Sequence, residues 1–469
     1  MFKKNYTLII ILSIIIIAYS SYNYIENTKD LKDKINVLLI KYNLEKYKSK
    51  ILFIREKNKQ IENLKKKLAD LEYSETRIDL EESYYNLYEF HSKIIENSLA
   101  KKTKSFNYNI NNTSFIIDYY SINNFFNGKH ITATATTYLE KISDNIILTT
   151  GDGHFFYFNI NEFNNDLFKL NKIKTNILDL ITDINFITKS KIGIKDVLVD
   201  NKNIIITIPL KKKEDCYSFA IYKSQFNYDF LKFKKIFETK ECQKTKGSNH
   251  FGGRIEVLDK DHYIFTVGDF GYSANSQKKN ENLFGKIVKL NKNSNKIEII
   301  SLGHRNPQGL YFDIKKNIIL STEHGPVGGD EINLINLNKI EEKNFGWPYV
   351  SYGIDANSAW KNNHSKNGYI EPIKYYTPSI AISEIVKIPR NFFNSDHHYF
   401  VASMGGISDG GYQSIHLINL NKNFKIIGNK NLIKINDRVR DLLTVKELNI
   451  VLASTEISPG IIKISKVNN

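Results

Sequence analysis

YIFTVGDFG (263–271), followed by GKIVKL (285–290), is an apolar strand-like run, a Gly-Asp-Phe-Gly turn and a second apolar run. Its β-branched and aromatic residues suit a pleated, half-buried surface, and its glycines permit the sharp reversal between the runs. The same strand, turn, strand pattern recurs in both directions. Upstream it reads ILTTGDGHFFYFNI (147–160) and IIITIPL with YSFAIYK (204–223). Downstream it reads IILSTEHGP with EINLI (318–335), YFVASMGG with SIHLINL (399–420) and IVLASTEISPGIIKI (450–464). Six such units predict an all-β six-bladed β-propeller, in which each four-stranded sheet buries its faces only against its neighbours. The propeller is expected over residues 105–469, with KKTKSFNYNINNT (101–113) marking its boundary.

Before that boundary the texture differs. Residues 28–104 are dense in Lys, Glu, Leu and Ile and contain no proline or glycine, which predicts helix. Ile54, Ile61 and Leu68 recur at sevens and Leu64, Leu71 and Ile78 form a second set, a short heptad seam. The seam leaves open a coiled-coil stalk through which copies self-associate and a helical hairpin folded on the next domain. Residues 1–27 carry Lys3 and Lys4 ahead of LIIILSIIIIA, an export-signal pattern that predicts a membrane-anchoring helix, with the propeller outside the cytoplasm, on the periplasmic face of a bacterial inner membrane. Cleavage near Ala18-Tyr19-Ser20 would make the protein secreted instead. Cys216 and Cys242 flank a strand-rich interval, and an oxidising compartment would let them pair.

At 469 residues, 41% hydrophobic and 12% aromatic, the chain has ample material for a sizeable core. Its net charge of +16 comes mostly from lysines scattered along the whole length. No compact basic stripe interleaves with aromatics, so nucleic acid is not an expected partner.

Three polar, turn-rich pieces stand out in order: GHRNPQGL (303–310), EHGPVGGDEINLI (323–335) and NFGWP (344–348). Glycine lets backbone carbonyls turn outward and proline fixes the bend, so such loops can offer carbonyl oxygens to a hard cation beside a guanidinium that holds an anion. Taken singly, each fragment is an ordinary loop. Together, at these spacings, they resemble the glucose/sorbosone dehydrogenase family, whose members include soluble quinoproteins that use pyrroloquinoline quinone (PQQ). The resemblance runs over roughly residues 114–465 and is densest from 247 to 348.

The resemblance implies a six-bladed propeller that oxidises the C1 hydroxyl of an aldose to a lactone, with PQQ and Ca2+ as cofactors and an electron carrier yet to be identified. It also implies roles for particular residues. His250, in GSNHFGGRI ahead of Gly268-Asp269-Phe270-Gly271, falls at the general base, a task suited to neutral imidazole. Arg305 and Asn306 fall at the pair that reaches the quinone, where a fixed cation stabilises developing negative charge. His304 is expected to be structural. Gly325 and Pro326 fall at the carbonyls that hold the cofactor's calcium, while Asp330 and Glu331 fall at structural calcium ligands. Arg438 and Arg440, in NDRVRD, match a paired-arginine element for the cofactor's carboxylates, and Ser379 matches a hydroxyl near the quinone. Two departures weaken the match: no lysine stands near Ser403-Met404-Gly405-Gly406, and His324 replaces a glutamine beside the cofactor. Two other functions compete, a membrane-tethered propeller that binds without turnover and a calcium-dependent lactonase. The retained His250 and arginines favour the dehydrogenase.

Overall fold

The structure, a computed structural model, describes residues 60, 75–110, 112–125, 136–188, 192–213, 216–245, 250–353, 362–405 and 413–467. The chain divides into two compact units, 1–77 and 78–469, and the second is described below. The expected membrane segment and all of the heptad seam except Ile78 lie outside the described residues. Among the described residues no helix is long and apolar enough to cross a membrane.

Each repeat read from the sequence supplies the two middle strands of an antiparallel sheet. In the third blade His262–Val267 pairs with Lys286–Asn291, in register from His262 opposite Asn291 to Val267 opposite Lys286. Gly252–Val257 flanks this hairpin on one side and Ile297–Leu302 on the other. Six sheets of this kind are present among the described residues. Their innermost strands are Thr137–Ile142, Asp196–Asp200, Gly252–Val257, Pro307–Asp313, Ile382–Lys387 and Val439–Val445. Each touches the next and the last touches the first, so the ring is closed. The six-bladed propeller is the expected fold.

Apolar side chains from neighbouring blades fill the spaces between them. Between the second and third blades Phe219 stacks on Phe265 with ring centroids 5.1 Å apart, among buried Ile205, Ile221, Val267 and Val288. Fully burying a side chain of this size is worth about 2 kcal/mol, and because neighbouring blades cover one another, no blade can be removed without stripping the faces on either side.

Closure comes from a segment that the repeats did not reveal. The strand Thr113–Ile122 pairs antiparallel with Gly460–Lys466, Phe115 lying opposite Lys466 and Ser121 opposite Gly460. Leu99–Ile110 and then Leu167–Lys169 continue the same sheet outward, giving the sixth blade six strands. Residues 101–113, expected as a boundary, therefore lie within a blade, and the sheet begins at Leu99. Lys101 and Lys104 are exposed on this strand, while half-buried Lys102 lies 3.7 Å from Asp118. Of the helix expected over 28–104, the described helical part is Gln60 and Glu75–Ile95, with Tyr88 and Ile95 buried against the propeller, and residues 99–104 are strand instead.

Cys216 and Cys242 are joined in a disulfide, their Cα atoms 5.4 Å apart, tying a strand of the second blade to the segment beyond it.

Candidate active site

An antiparallel blade places the start of its innermost strand and the loop between its second and third strands at the same end of the ring. Lys195, His250, Asn306 and Arg438 stand just ahead of the inner strands that begin at Asp196, Gly252, Pro307 and Val439. Asp269, the segment His324–Gly329 and Glu456 belong to second-to-third-strand loops of the third, fourth and sixth blades. This explains why the motifs are far apart in the sequence yet belong to one face.

His250 is held by a buried acid. Asp269 accepts from His250 Nδ1 at 2.9 Å and from the Gly271 backbone N–H at 2.8 Å through one oxygen. Its other oxygen accepts from Trp347 Nε1 at 2.9 Å. Because the carboxylate accepts, the imidazole carries its proton on Nδ1, which leaves Nε2 as the basic nitrogen. Trp347, from the NFGWP piece, also lies under Arg305, whose guanidinium carbon is 5.5 Å from the ring centroid. Arg305 Nη1 donates to the His324 carbonyl at 3.2 Å. Burial pulls the Arg305 pKa down, and Asp269, Glu323 and Asp330 oppose that pull. His304 is fully buried, with Nδ1 2.9 Å from Glu323 and Nε2 2.8 Å from Ser301 Oγ. Glu323 also accepts the Arg305 backbone N–H, so His304 and its acid fix the loop that presents Arg305.

The remaining expected residues divide. Asn306 Oδ1 accepts from the Gly252 backbone N–H at 3.1 Å and from Gln308 Nε2 at 3.0 Å, so it braces the third blade against the fourth. His324 bonds through its backbone N–H to the Asn306 carbonyl at 3.1 Å, while its Nε2 is buried without a partner among the described residues. Burial lowers the pKa of His324 to about 4, with Arg305 and the Arg438/Arg440 pair acting in the same direction against Asp330. Gly325 sits inside a tight turn, where an added Cβ would fall 2.3 Å from the carbonyl oxygens of Gly328 and Gly329.

Asp330 and Glu331 are not brought together as metal ligands. Successive residues of a strand point to opposite faces. Asp330 takes backbone N–H groups of Gly325, Ile380 and Ile382 at 2.9, 3.0 and 3.1 Å, which pins the loop to the fifth blade. Glu331 turns the other way, 3.3 Å from His364 Nε2. Ser379 lies beside Ile380 in the same loop cluster and makes no hydrogen bond among the described residues.

Arg438 and Arg440 do converge, on an acid that the sequence reading missed. Glu456 accepts from Arg438 Nε at 3.0 Å and from Arg440 Nε at 2.5 Å. Burial would raise its pKa, but Arg440 and Arg438 overturn that effect and hold it at about 2. Arg438 Nη1 donates to the Met404 carbonyl at 2.9 Å, and Arg440 Nη1 to Gln308 Oε1 at 3.3 Å. A cation also stands near this pair although 403–406 lacks a lysine. Lys195, half-buried, places Nζ 5.8 Å from the Phe251 ring centroid. Burial brings its pKa down to about 7, Arg440 pushing the same way and Glu456 opposing. A lone lysine ahead of a strand carries no sequence signal.

Behind these groups Arg254 gathers three carboxylates. Its Nη1 lies 2.9 Å from Asp196, 2.8 Å from Glu384 and 2.6 Å from Asp441, one from each of three other inner strands. Each acid also takes a backbone N–H from another inner strand: Ile255 for Asp196, Leu310 for Glu384 and Leu139 for Asp441. The cluster therefore fixes the inner strands against one another just behind the site.

Fold and site together define a six-bladed propeller with a histidine–aspartate pair, a guanidinium on a tryptophan face and a basic cluster at one end of its ring. The chain belongs to the glucose/sorbosone dehydrogenase family, which it matches over residues 168–463, more than half its length. It is 32% identical over 181 residues to the aldose sugar dehydrogenase of Escherichia coli, a match covering 35% of this chain and 45% of that one. It is 44% identical over 84 residues to quinoprotein glucose dehydrogenase B of Acinetobacter calcoaceticus, covering 17% and 16%. The chain spans about half the length of the first curated relatives it matches. The solved apo-form of the soluble E. coli aldose sugar dehydrogenase shares its fold, with a TM-score of 0.55 and 20% identity over 71% of this chain and 95% of that one.

Proposed function

We propose that this chain is a quinoprotein aldose dehydrogenase that oxidises the C1 hydroxyl of a sugar to a lactone, using PQQ and Ca2+. The observation that carries this reading is the buried Asp269 holding His250 Nδ1 at 2.9 Å while its second oxygen fixes the tryptophan on which Arg305 rests. One carboxylate thus orients both a base and the platform of a cation.

The residues present suit an anionic quinone. Arg305, Arg438 and Arg440 supply positive charge, and His324 Nε2 is an orphaned buried nitrogen within their field. Glu456 offsets part of that charge, which makes it the group an incoming carboxylate must compete with. For calcium, the carbonyl oxygens of Gly325 and Pro326 receive no hydrogen bond among the described residues, as hard-cation ligands require. When bound, the quinone supplies the two-electron acceptor for the hydrogen on C1.

The chain's own residues do the rest. His250 Nε2 takes the proton of the C1 hydroxyl, and Asp269 stabilises the imidazolium that results. Arg305, desolvated on Trp347, provides fixed positive charge where electron density accumulates. The proton then leaves from Nε2 to solvent, and electrons pass to a carrier outside the chain. The disulfide supports residence in an oxidising compartment, with the propeller held outside the cytoplasm by the N-terminal segment.

The test is to load the purified chain with PQQ and Ca2+ and follow dye reduction with a panel of aldoses. Sugar-dependent reduction is expected. Quinone binding without reduction by any aldose would assign the propeller to ligand binding, and no quinone binding would end the quinoprotein reading.

A further inference from the structure

Away from that site, the first blade's second-to-third-strand loop, Gly151–His154, meets the helix Glu75–Ile95. Asp152, His154 and His91 are all buried there, at 0%, 4% and 4% exposure, and one ligand atom from each lies within 4.8 Å of the others. Their hydrogen bonds fix which atoms remain. Tyr88 stacks on the His154 ring at 4.6 Å and donates its single hydroxyl hydrogen to the Asp152 carbonyl at 3.0 Å. Its oxygen, 3.3 Å from His154 Nδ1, must therefore accept from Nδ1–H, which leaves the lone pair of His154 on Nε2. Thr150 Oγ1 donates to Asp152 Oδ1 at 2.5 Å, which leaves Oδ2. Asp152 Oδ2 and His154 Nε2 then face each other at 3.8 Å, both acceptors, both buried, neither with a donor. Their separation is too long for a shared proton and matches two ligands on one small cation. On the helix, His91 Nε2 lies 3.4 Å from the Asn124 carbonyl, and its ring contributes the third ligand nitrogen of the cluster. Lys172, the nearest cation, is drawn to the Ser92 carbonyl at 2.8 Å and to Glu96 at 3.7 Å.

We propose that His91, Asp152 and His154 form a divalent transition-metal site, selective for zinc, that clamps the helix Glu75–Ile95 onto the first blade. Two imidazoles and a carboxylate suit zinc and not calcium, and hydrogen bonds from Tyr88 and Thr150 orient the ligands as supporting groups do in zinc sites. Three protein ligands leave the fourth position to a water, and burial of all three ties the ion to holding the helix in place. The site is separate from the sugar-oxidation reading, because His91 belongs to a segment that precedes the matched family region.

The test uses the full chain, stripped with a chelator and titrated with Zn2+ against a chromophoric competitor, then loaded with Co2+ for its visible absorption. One tight equivalent is expected, together with four-coordinate cobalt bands and slower proteolysis within 75–95 on metal addition. His91→Gln alters only the helix, so the propeller still folds, and it should weaken Zn2+ binding by at least about 100-fold. Asp152→Asn should also weaken it. Failure to bind one equivalent of either ion, or a His91→Gln chain that binds as tightly as the parent, overturns the site.

Discussion

Replacing Glu456 with glutamine removes the charge that holds Arg438 and Arg440 together while keeping the side chain's shape. In the fold the carboxyl titrates at about 2, against an ordinary 4.5. A shift of that size corresponds to about 3 kcal/mol of stability above pH 5, and water around the partly open Arg438 makes this an upper figure. The sign follows from the direction: a depressed carboxylate stabilises the fold above its unfolded pKa, and that contribution is lost as pH falls through the folded value. The parent should therefore exceed Glu456→Gln by about 3 kcal/mol at pH 7, by about 1 kcal/mol at pH 3 and by almost nothing from the charge below pH 2. Repulsion between the two guanidiniums adds a roughly constant offset, so the slope of the difference is the diagnostic. Urea unfolding of both proteins across this range, read by tryptophan fluorescence, measures it. A difference that stays flat with pH would refute the assignment of Glu456 as the charged partner of both arginines. A second consequence is readable in the same samples: with the competing carboxylate gone, a small dicarboxylate or PQQ should stabilise the variant more than the parent.

Other expectations follow from the same geometry. Asp269→Asn should lower turnover with aldoses by about 100-fold or more through loss of the His250 tautomer, with quinone affinity nearly unchanged, and a variant of parental activity would remove Asp269 from its role. Arg254→Leu leaves Asp196, Glu384 and Asp441 without their cation and should cost about 3 to 5 kcal/mol in thermal or urea unfolding. Burial raises Asp196 to about 7 and Glu384 to about 8, so the proton-linked stability of this cluster is present at low pH and lost as pH rises through those values. The urea midpoint should accordingly fall between about pH 4, the ordinary carboxyl value, and about pH 8, and a flat profile would place the protons elsewhere. Reducing the Cys216–Cys242 bond, or replacing both cysteines with serine, should cost about 3 kcal/mol for a loop of this length, measured by the same unfolding curves.

The blades were legible because their two middle strands are buried on both faces and so read as apolar runs punctuated by glycine turns. The outer strands are exposed and polar, which is why Leu99–Ile110 was divided between the expected helix and the domain boundary, and why pairing of Thr113–Ile122 with the far end of the chain left no local trace. In the site, His250 and Arg305 could be placed because they sit in motifs with turn chemistry of their own. Glu456 and Lys195 could not, because an acid after a strand and a lysine before one are ordinary, and only the ring brings them beside Arg440. Asp330 and Glu331 illustrate a different limit. Adjacent acids look like a ligand pair on paper, whereas the alternation of a strand sends one to backbone N–H groups and the other to His364.

The pairing of Thr113–Ile122 with Gly460–Lys466 also sets a schedule for biogenesis. The closing strand is made early, and its partner emerges from the ribosome more than three hundred residues later, a wait on the order of tens of seconds at ordinary synthesis rates. Until then one edge of the first-made sheet and the face of the fifth blade remain uncovered, and any stop codon before Gly460 yields a ring that cannot shut. Truncation even at the last blade should therefore produce an aggregating chain and not a smaller soluble one, and a holdase that protects open sheet edges is the kind of helper such a protein needs during synthesis.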